Sequence, residues 1–221
     1  MKVLLLHAFP LDEGMWEPQR EALAGHDVLA PNLYERGDSV EEWAASILDE
    51  VDGEVVVVGA SMGGYCALAL ARLAPERVRG LLLAGSRPDA DSPERREGRA
   101  ATIELIREEG AEALWRDMRP RLLGPEPALD AVTLAHRIAE VQDADDLVRA
   151  VEAIRDRPDS TDVARSAPGS LLFVLGEHDQ FVEPAELDGY DVRVVEGAGH
   201  LPSLERPDEF NAILGDFLAR V

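Results

Sequence analysis

Cysteine occurs once in this 221-residue chain, at Cys66, and lysine once, at Lys2. A single cysteine excludes an internal disulfide and a cysteine-ligated zinc cluster, and it suits a reducing compartment. Basic residues are scarce: 22 Lys and Arg stand against 44 Asp and Glu, for a formal charge of −22. A phosphate backbone or an anionic membrane surface is repelled by such a chain, so neither nucleic acid nor membrane is an expected partner. Long apolar runs are missing as well. Val3-Leu4-Leu5-Leu6 stops at His7, short of the apolar region of a signal peptide, and no other run is long enough to span a bilayer. The expectation is a soluble, cytoplasmic protein, with no oligomeric state assigned. Its length suits one α/β domain with a full core and room for a modest insertion.

What is present is an alternation of short apolar runs with helical patterns. Strands are predicted over Lys2–Leu6, Asp27–Ala30, Glu54–Val58, Val78–Ala84, Leu171–Leu175 and Val192–Val195. Helices are predicted over Met15–Ala24, Val40–Val51, Met62–Leu73 and Glu209–Arg220. This order implies a mostly parallel, doubly wound sheet of about six strands. Between Gly85 and Gly169 the character changes to charged, amphipathic helical patterns. Ser92-Pro93-Glu94 reads as an N-cap, a first-turn proline and an acidic first turn, opening a helix to about Glu109. Further helices are expected over Ala111–Leu122, Pro127–Val141 and Ala144–Arg155. Residues 85–170 are therefore read as a helical cap inserted into a core of residues 1–84 and 171–221.

The chemistry centres on Gly59-Ala60-Ser61-Met62-Gly63-Gly64, which follows the apolar Val55–Val58 and precedes an apolar helical run. Strand, small-residue turn and helix in that order make a nucleophile elbow, with Ser61 exposed at the strand tip. Serine needs a general base within hydrogen-bond reach, itself oriented by a carboxylate. Gly176-Glu177-His178-Asp179 follows the fifth strand and offers Asp179 as the acid, with Glu177 and the more distant Glu183 as rivals. Gly197-Ala198-Gly199-His200 follows the sixth strand and offers His200 as the base. His178 precedes the acid and does not fit the order Ser, acid, His. An oxyanion would be held by backbone amides of Met62 and of Phe9, the latter in His7-Ala8-Phe9-Pro10 after the first strand, where Pro10 has no amide.

On these motifs the chain resembles the α/β-hydrolase superfamily over nearly its whole length. The resemblance implies the α/β-hydrolase fold, catalysis by Ser61, Asp179 and His200, and no cofactor or metal. It departs from the family's oxyanion-loop pattern at Ala8, where glycine is usual. It also begins at what resembles the family's third strand, which implies a compact member. In its spacing, its helical cap and Ser92-Pro93-Glu94 followed by a Glu/Arg-rich helix, the chain is similar to small esterases and 3-oxoadipate enol-lactonase-like hydrolases, and a serine at the elbow argues against epoxide hydrolases and haloalkane dehalogenases.

The expected activity is hydrolysis of a small carboxylic ester or lactone through an acyl-enzyme on Ser61. The alternatives are carbon–carbon bond hydrolysis or perhydrolysis and acyl transfer by the same residues, and a ligand receptor built on a hydrolase scaffold. Trp115, Met118 and Leu201 are candidates for the substrate pocket. Arg87, just after the fourth strand, is a candidate partner for a substrate carboxylate or, in the commoner outcome, a member of an exposed ion pair. Cys66, on the helix leaving the elbow, is read as core. His7 is read as a hydrogen-bonding support of the oxyanion loop, and His26 and His136 as bystanders.

Overall fold

The computed structural model describes residues 1–167 and 169–221. Six strands, β1 (Lys2–Leu6), β2 (Asp27–Leu29), β3 (Val55–Ala60), β4 (Val78–Ala84), β5 (Ser170–Gly176) and β6 (Val192–Val195), form one sheet in the order β2-β1-β3-β4-β5-β6. All five pairings are parallel. Every residue of β3 is buried, as continuous valine runs demand of a strand covered on both faces. The chain steps outward from β1 to β2, returns to β3 and then proceeds the other way. The strand order therefore reverses between β1 and β3, the place in an open α/β sheet where ligands approach the carboxyl ends of the strands.

Helix α1 (Val40–Glu50) starts where the Ser39 hydroxyl accepts from the Glu42 amide, and it buries Val40, Trp43, Ala44 and Ile47 along one face. It packs against α2 (Met62–Leu73), which lies over β1, β3 and β4 and is buried from Met62 to Ala71, Cys66 included. The last helices are α7 (Pro202–Glu205) and α8 (Pro207–Leu218), numbered after four that lie between β4 and β5. Phe210, Leu214 and Phe217 of α8 are buried, and Phe217 fills the space beside Gly80 of β4. The predicted helix Met15–Ala24 is instead a 3-10 segment, Glu13–Gln19, followed by turns. Pro18 stands inside that segment and has no amide for an i→i−4 bond, so the apolar spacing alone overstated the helix.

Between β4 and β5 come α3 (Pro93–Leu122), α4 (Leu129–Ala139), α5 (Ala144–Asp156) and a short α6 (Thr161–Arg165) that the sequence pattern did not mark. Ser92 caps α3 and Pro93 opens it, as expected, and helical geometry breaks at Gly110 (φ 78°, ψ −170°). Helix α3 packs against α5, and α4 touches both α3 and the 3-10 segment. No helix among the described residues is long and apolar enough to cross a membrane.

Glycine at the elbow is fixed by space. A Cβ on Gly63 would overlap the Leu6 carbonyl of β1, and one on Gly59 would overlap the Gly63 carbonyl, both backbone atoms that cannot swing away. Gly215 of α8 has nothing within 4 Å of the same hypothetical atom. Gly63→Ala is therefore expected to lower stability by about 1–3 kcal/mol or more. Gly215→Ala should raise it by about 0.5–1 kcal/mol through helix propensity. Urea denaturation of the two variants checks the opposite signs.

Candidate active site

Ser61 occupies the junction of β3 and α2 with φ 46° and ψ −109°, a left-handed backbone rare outside glycine. Its amide donates to the Ala84 carbonyl at the end of β4 (2.7 Å), and its own carbonyl accepts from the Ser86 hydroxyl (2.8 Å). The elbow is thus tied to the neighbouring strand on both sides of the residue. His200 lies in the loop between β6 and α7 and is 4 % exposed. Its amide donates to the Leu122 carbonyl at the end of α3 (3.0 Å), and the Phe181 ring packs on the imidazole with centroids 4.5 Å apart.

The imidazole links the other two predicted residues. His200 Nε2 lies 2.9 Å from Ser61 Oγ, and His200 Nδ1 lies 2.9 Å from both carboxylate oxygens of Asp179. Asp179 Oδ1 also accepts from the amides of Phe181 (2.8 Å) and Val182 (3.2 Å). Burial opposes the Asp179 charge, but the His200 ring and these two amides outweigh it and hold the carboxyl below its ordinary range. The rivals stand elsewhere. Glu177 accepts from the Gly197 amide and pairs with His178, both near-surface side chains away from Ser61. Glu183 caps the 3-10 turn Pro184–Leu187.

Met62 is the first residue of α2, so its amide has no acceptor within the helix, and Phe9 lines the same cavity as Ser61 and His200. The Phe9 loop rests on His7, which is fully buried. His7 Nε2 accepts from the Leu33 amide (2.8 Å), which leaves the proton on Nδ1, 3.2 Å from the Ala8 carbonyl. Burial pushes the His7 pKa down to about 4, against weaker opposing contributions from the Ala8 carbonyl and Asp12.

A side chain that sequence patterns did not single out also holds the site. Glu205 of α7 is 2 % exposed, and its carboxylate accepts from the amides of Gly199 (2.9 Å) and Gly124 (2.6 Å). Burial raises its pKa despite these amides. One carboxylate therefore joins the loop carrying His200 to the segment just after α3.

A cavity of about 410 Å³ opens on Ser61 and His200. Met118 and Arg87 line it, as expected from sequence, together with Tyr65, Arg99 and Phe181. Trp115 and Leu201 do not line it. Trp115 is buried and stacks on His136 at 5.4 Å, and Leu201 is buried at the start of α7. Arg87 is not the exposed ion-pair residue of the commoner expectation: its side chain is 7 % exposed and bonded to Asp89 and Glu186. Glu112, His136 and Glu140 bring ligand-type atoms within 4.8 Å of one another, but at the surface and outside this cavity.

The sequence profile of the alpha/beta hydrolase family matches residues 3–213. The chain belongs to that family. A thermophilic esterase from Thermogutta terrifontis, in its malate-bound structure, superposes with a TM-score of 0.90 at 30 % identity, over 99 % of this chain and 89 % of that one. The enol-lactonase from Burkholderia xenovorans LB400 superposes with a TM-score of 0.84 at 26 % identity, over 99 % and 91 %. A pimeloyl-[acyl-carrier protein] methyl ester esterase from Yersinia enterocolitica is 26 % identical over 97 % of this chain and 92 % of its own. This alpha/beta hydrolase thus has esterase-type relatives along its full length.

The buried His7 has a pH consequence. An unfolded histidine takes a proton near pH 6.5, whereas His7 in the fold takes one only near 4. The unfolded chain binds the extra proton between those values, so the contribution of neutral His7 is complete above pH 6.5 and is lost as the pH falls to about 4. Relative to His7→Gln, the wild type should lose about 3 kcal/mol of stability across that window. Denaturant unfolding of both proteins at a series of pH values measures the difference.

Proposed function

We propose that the chain is a serine hydrolase of small carboxylic esters or lactones. The observation that carries the reading is the unbroken hydrogen-bond chain Ser61–His200–Asp179, with 2.9 Å at each link, opening on a cavity. Ser61 Oγ attacks the carbonyl carbon while His200 Nε2 takes its proton. Asp179 stabilises the imidazolium and keeps the ring in the tautomer that presents a bare Nε2 to the serine. The tetrahedral oxyanion is held by the Phe9 and Met62 amides. His200 then passes the proton to the leaving oxygen, giving the alcohol and an acyl-enzyme. Water, deprotonated by the same imidazole, releases the acid and restores Ser61.

The cavity volume of about 410 Å³ suits a small-molecule substrate. Residues 85–170 act as a cap, since Met118, Arg95 and Arg99 of α3 supply part of the cavity wall while Ser61 and His200 follow the carboxyl ends of β3 and β6. The esterase and enol-lactonase relatives support the reading. A single buried cysteine suits a reducing compartment, which supports a cytoplasmic location.

Ser61→Ala should lower p-nitrophenyl acetate hydrolysis by several orders of magnitude and abolish the covalent adduct with a fluorophosphonate probe. Intact-mass spectrometry and initial rates for both proteins test this. Full turnover in the variant would overturn the mechanism.

A further inference from the structure

Apart from His200, the side chains on the cavity wall that carry charge at neutral pH are Arg87, Arg95, Arg99, Arg121, Asp91 and Asp117. A positive surplus here is notable in a chain of formal charge −22. The arginines differ in what is left of their donors. Arg87 has a partner on each of its three nitrogens: Nε donates to Asp89 (2.6 Å), Nη1 to the Phe181 carbonyl (3.2 Å) and Nη2 to Glu186. Arg95 has both terminal nitrogens committed, to Asp89 (3.0 Å) and Glu186 (3.3 Å). Arg121 is half exposed, paired with Asp117 one helical turn away and lying over the Phe181 ring.

Arg99 alone is both fixed and unspent. Its Nε donates to Asp91 (3.0 Å), and neither terminal nitrogen has an acceptor among the described residues. Asp91 is itself bonded through both carboxylate oxygens. Its side chain is 1 % exposed, and its other oxygen accepts from Arg157 Nη1 (2.8 Å), whose guanidinium lies 4.0 Å over the Tyr65 ring. Arg99 is therefore held from behind by a buried carboxylate, with the Nη1/Nη2 edge left for a ligand. The charge count agrees. The guanidinium groups of Arg87, Arg95, Arg99 and Arg157 are paired with only three carboxylates, those of Asp89, Asp91 and Glu186. One positive charge is unmatched along this wall, and an oriented guanidinium fork is suited to a carboxylate.

Building on the serine-hydrolase reading, we propose that Arg99 recognises a free carboxylate on the substrate. The preferred substrates are then half-esters of dicarboxylic acids, or lactones that carry a carboxylate, rather than neutral esters. The candidate partner suggested by sequence, Arg87, instead helps to hold Asp89 and Glu186 in place behind Arg95.

The test compares kcat/KM for monomethyl adipate with that for dimethyl adipate, for the wild type, Arg99→Met and Arg99→Lys. Adipate is titrated calorimetrically into Ser61→Ala with and without Arg99→Met. The wild type should favour the half-ester, and Arg99→Met should reduce the half-ester to diester ratio by about 10- to 100-fold, as loss of a charged hydrogen-bonded pair implies. Arg99→Lys, which keeps the charge but not the fork, should recover part of the ratio. Adipate binding should weaken by a similar factor. Thermal unfolding confirms that each variant is folded, and the ratio within one protein is insensitive to its active fraction. Equal use of both esters by the wild type, or a ratio unmoved in both Arg99 variants, overturns the carboxylate site while fluorophosphonate labelling of Ser61 still upholds the hydrolase reading. Arg99-dependent adipate binding without labelling or turnover upholds the anion site and overturns the hydrolase reading. Absence of both binding and turnover overturns both.

Discussion

The structure depends on how closely the first turn of α2 approaches the ends of β1 and β3. With no side chain at Gly59 or Gly63, the helix backbone comes against the Leu6 carbonyl, and the chain can reverse within one residue. That residue is Ser61, forced to φ 46°. A non-glycine residue in this region costs of order 1–3 kcal/mol, and the surrounding structure must impose it. Here the imposing contacts are the hydrogen bonds to Ala84 and Ser86 across the neighbouring strand end. The position of Oγ follows from the packing of three strands and a helix, not from the rotamer of a flexible loop.

Charge is distributed with the same economy. The chain is strongly acidic, yet its cavity wall is rich in arginine, and each guanidinium there except part of Arg99 and Arg121 is matched to a carboxylate or a carbonyl. Burying Asp91 at 1 % exposure would be costly for a lone carboxylate. Two guanidiniums, from Arg99 and Arg157, make it tolerable. Such a network holds side chains in place more than it adds stability, because desolvation offsets much of the Coulomb gain. Fixed dipoles and charges around a reacting centre are useful because they need not reorganise as charge moves.

Sequence patterns carried much of this. All six strands were legible as short apolar runs, buried in the four inner strands and largely exposed in the edge strands β2 and β6, and the elbow, Asp179 and His200 were legible because each sits just past the carboxyl end of one of them. The 3-10 segment at Glu13–Gln19 was misread because apolar spacing outweighed Pro18. Arg99 and Glu205 were invisible for another reason. Arg99 rests on Asp91, which Arg157 also holds, and Glu205 joins Gly124 to Gly199, and nothing in a one-dimensional pattern brings those positions together. Trp115 shows the converse: helical spacing gave it a buried face, but whether that face meets the cavity or His136 depends on how α3 and α4 pack.

The hydrogen bond between Ser61 and His200 spans 139 positions of the chain, and it connects the third strand to the loop after the last. Contacts this remote form late, since loop-closure entropy must be overcome before they can reward it. During synthesis the serine and its strained turn leave the ribosome long before the imidazole exists. Until β6 docks on β5, Ser61 is an ordinary hydroxyl in a half-built sheet. On the serine-hydrolase reading proposed above, the chain stays chemically quiet until its last strand has docked and the loop after it has brought His200 to Ser61.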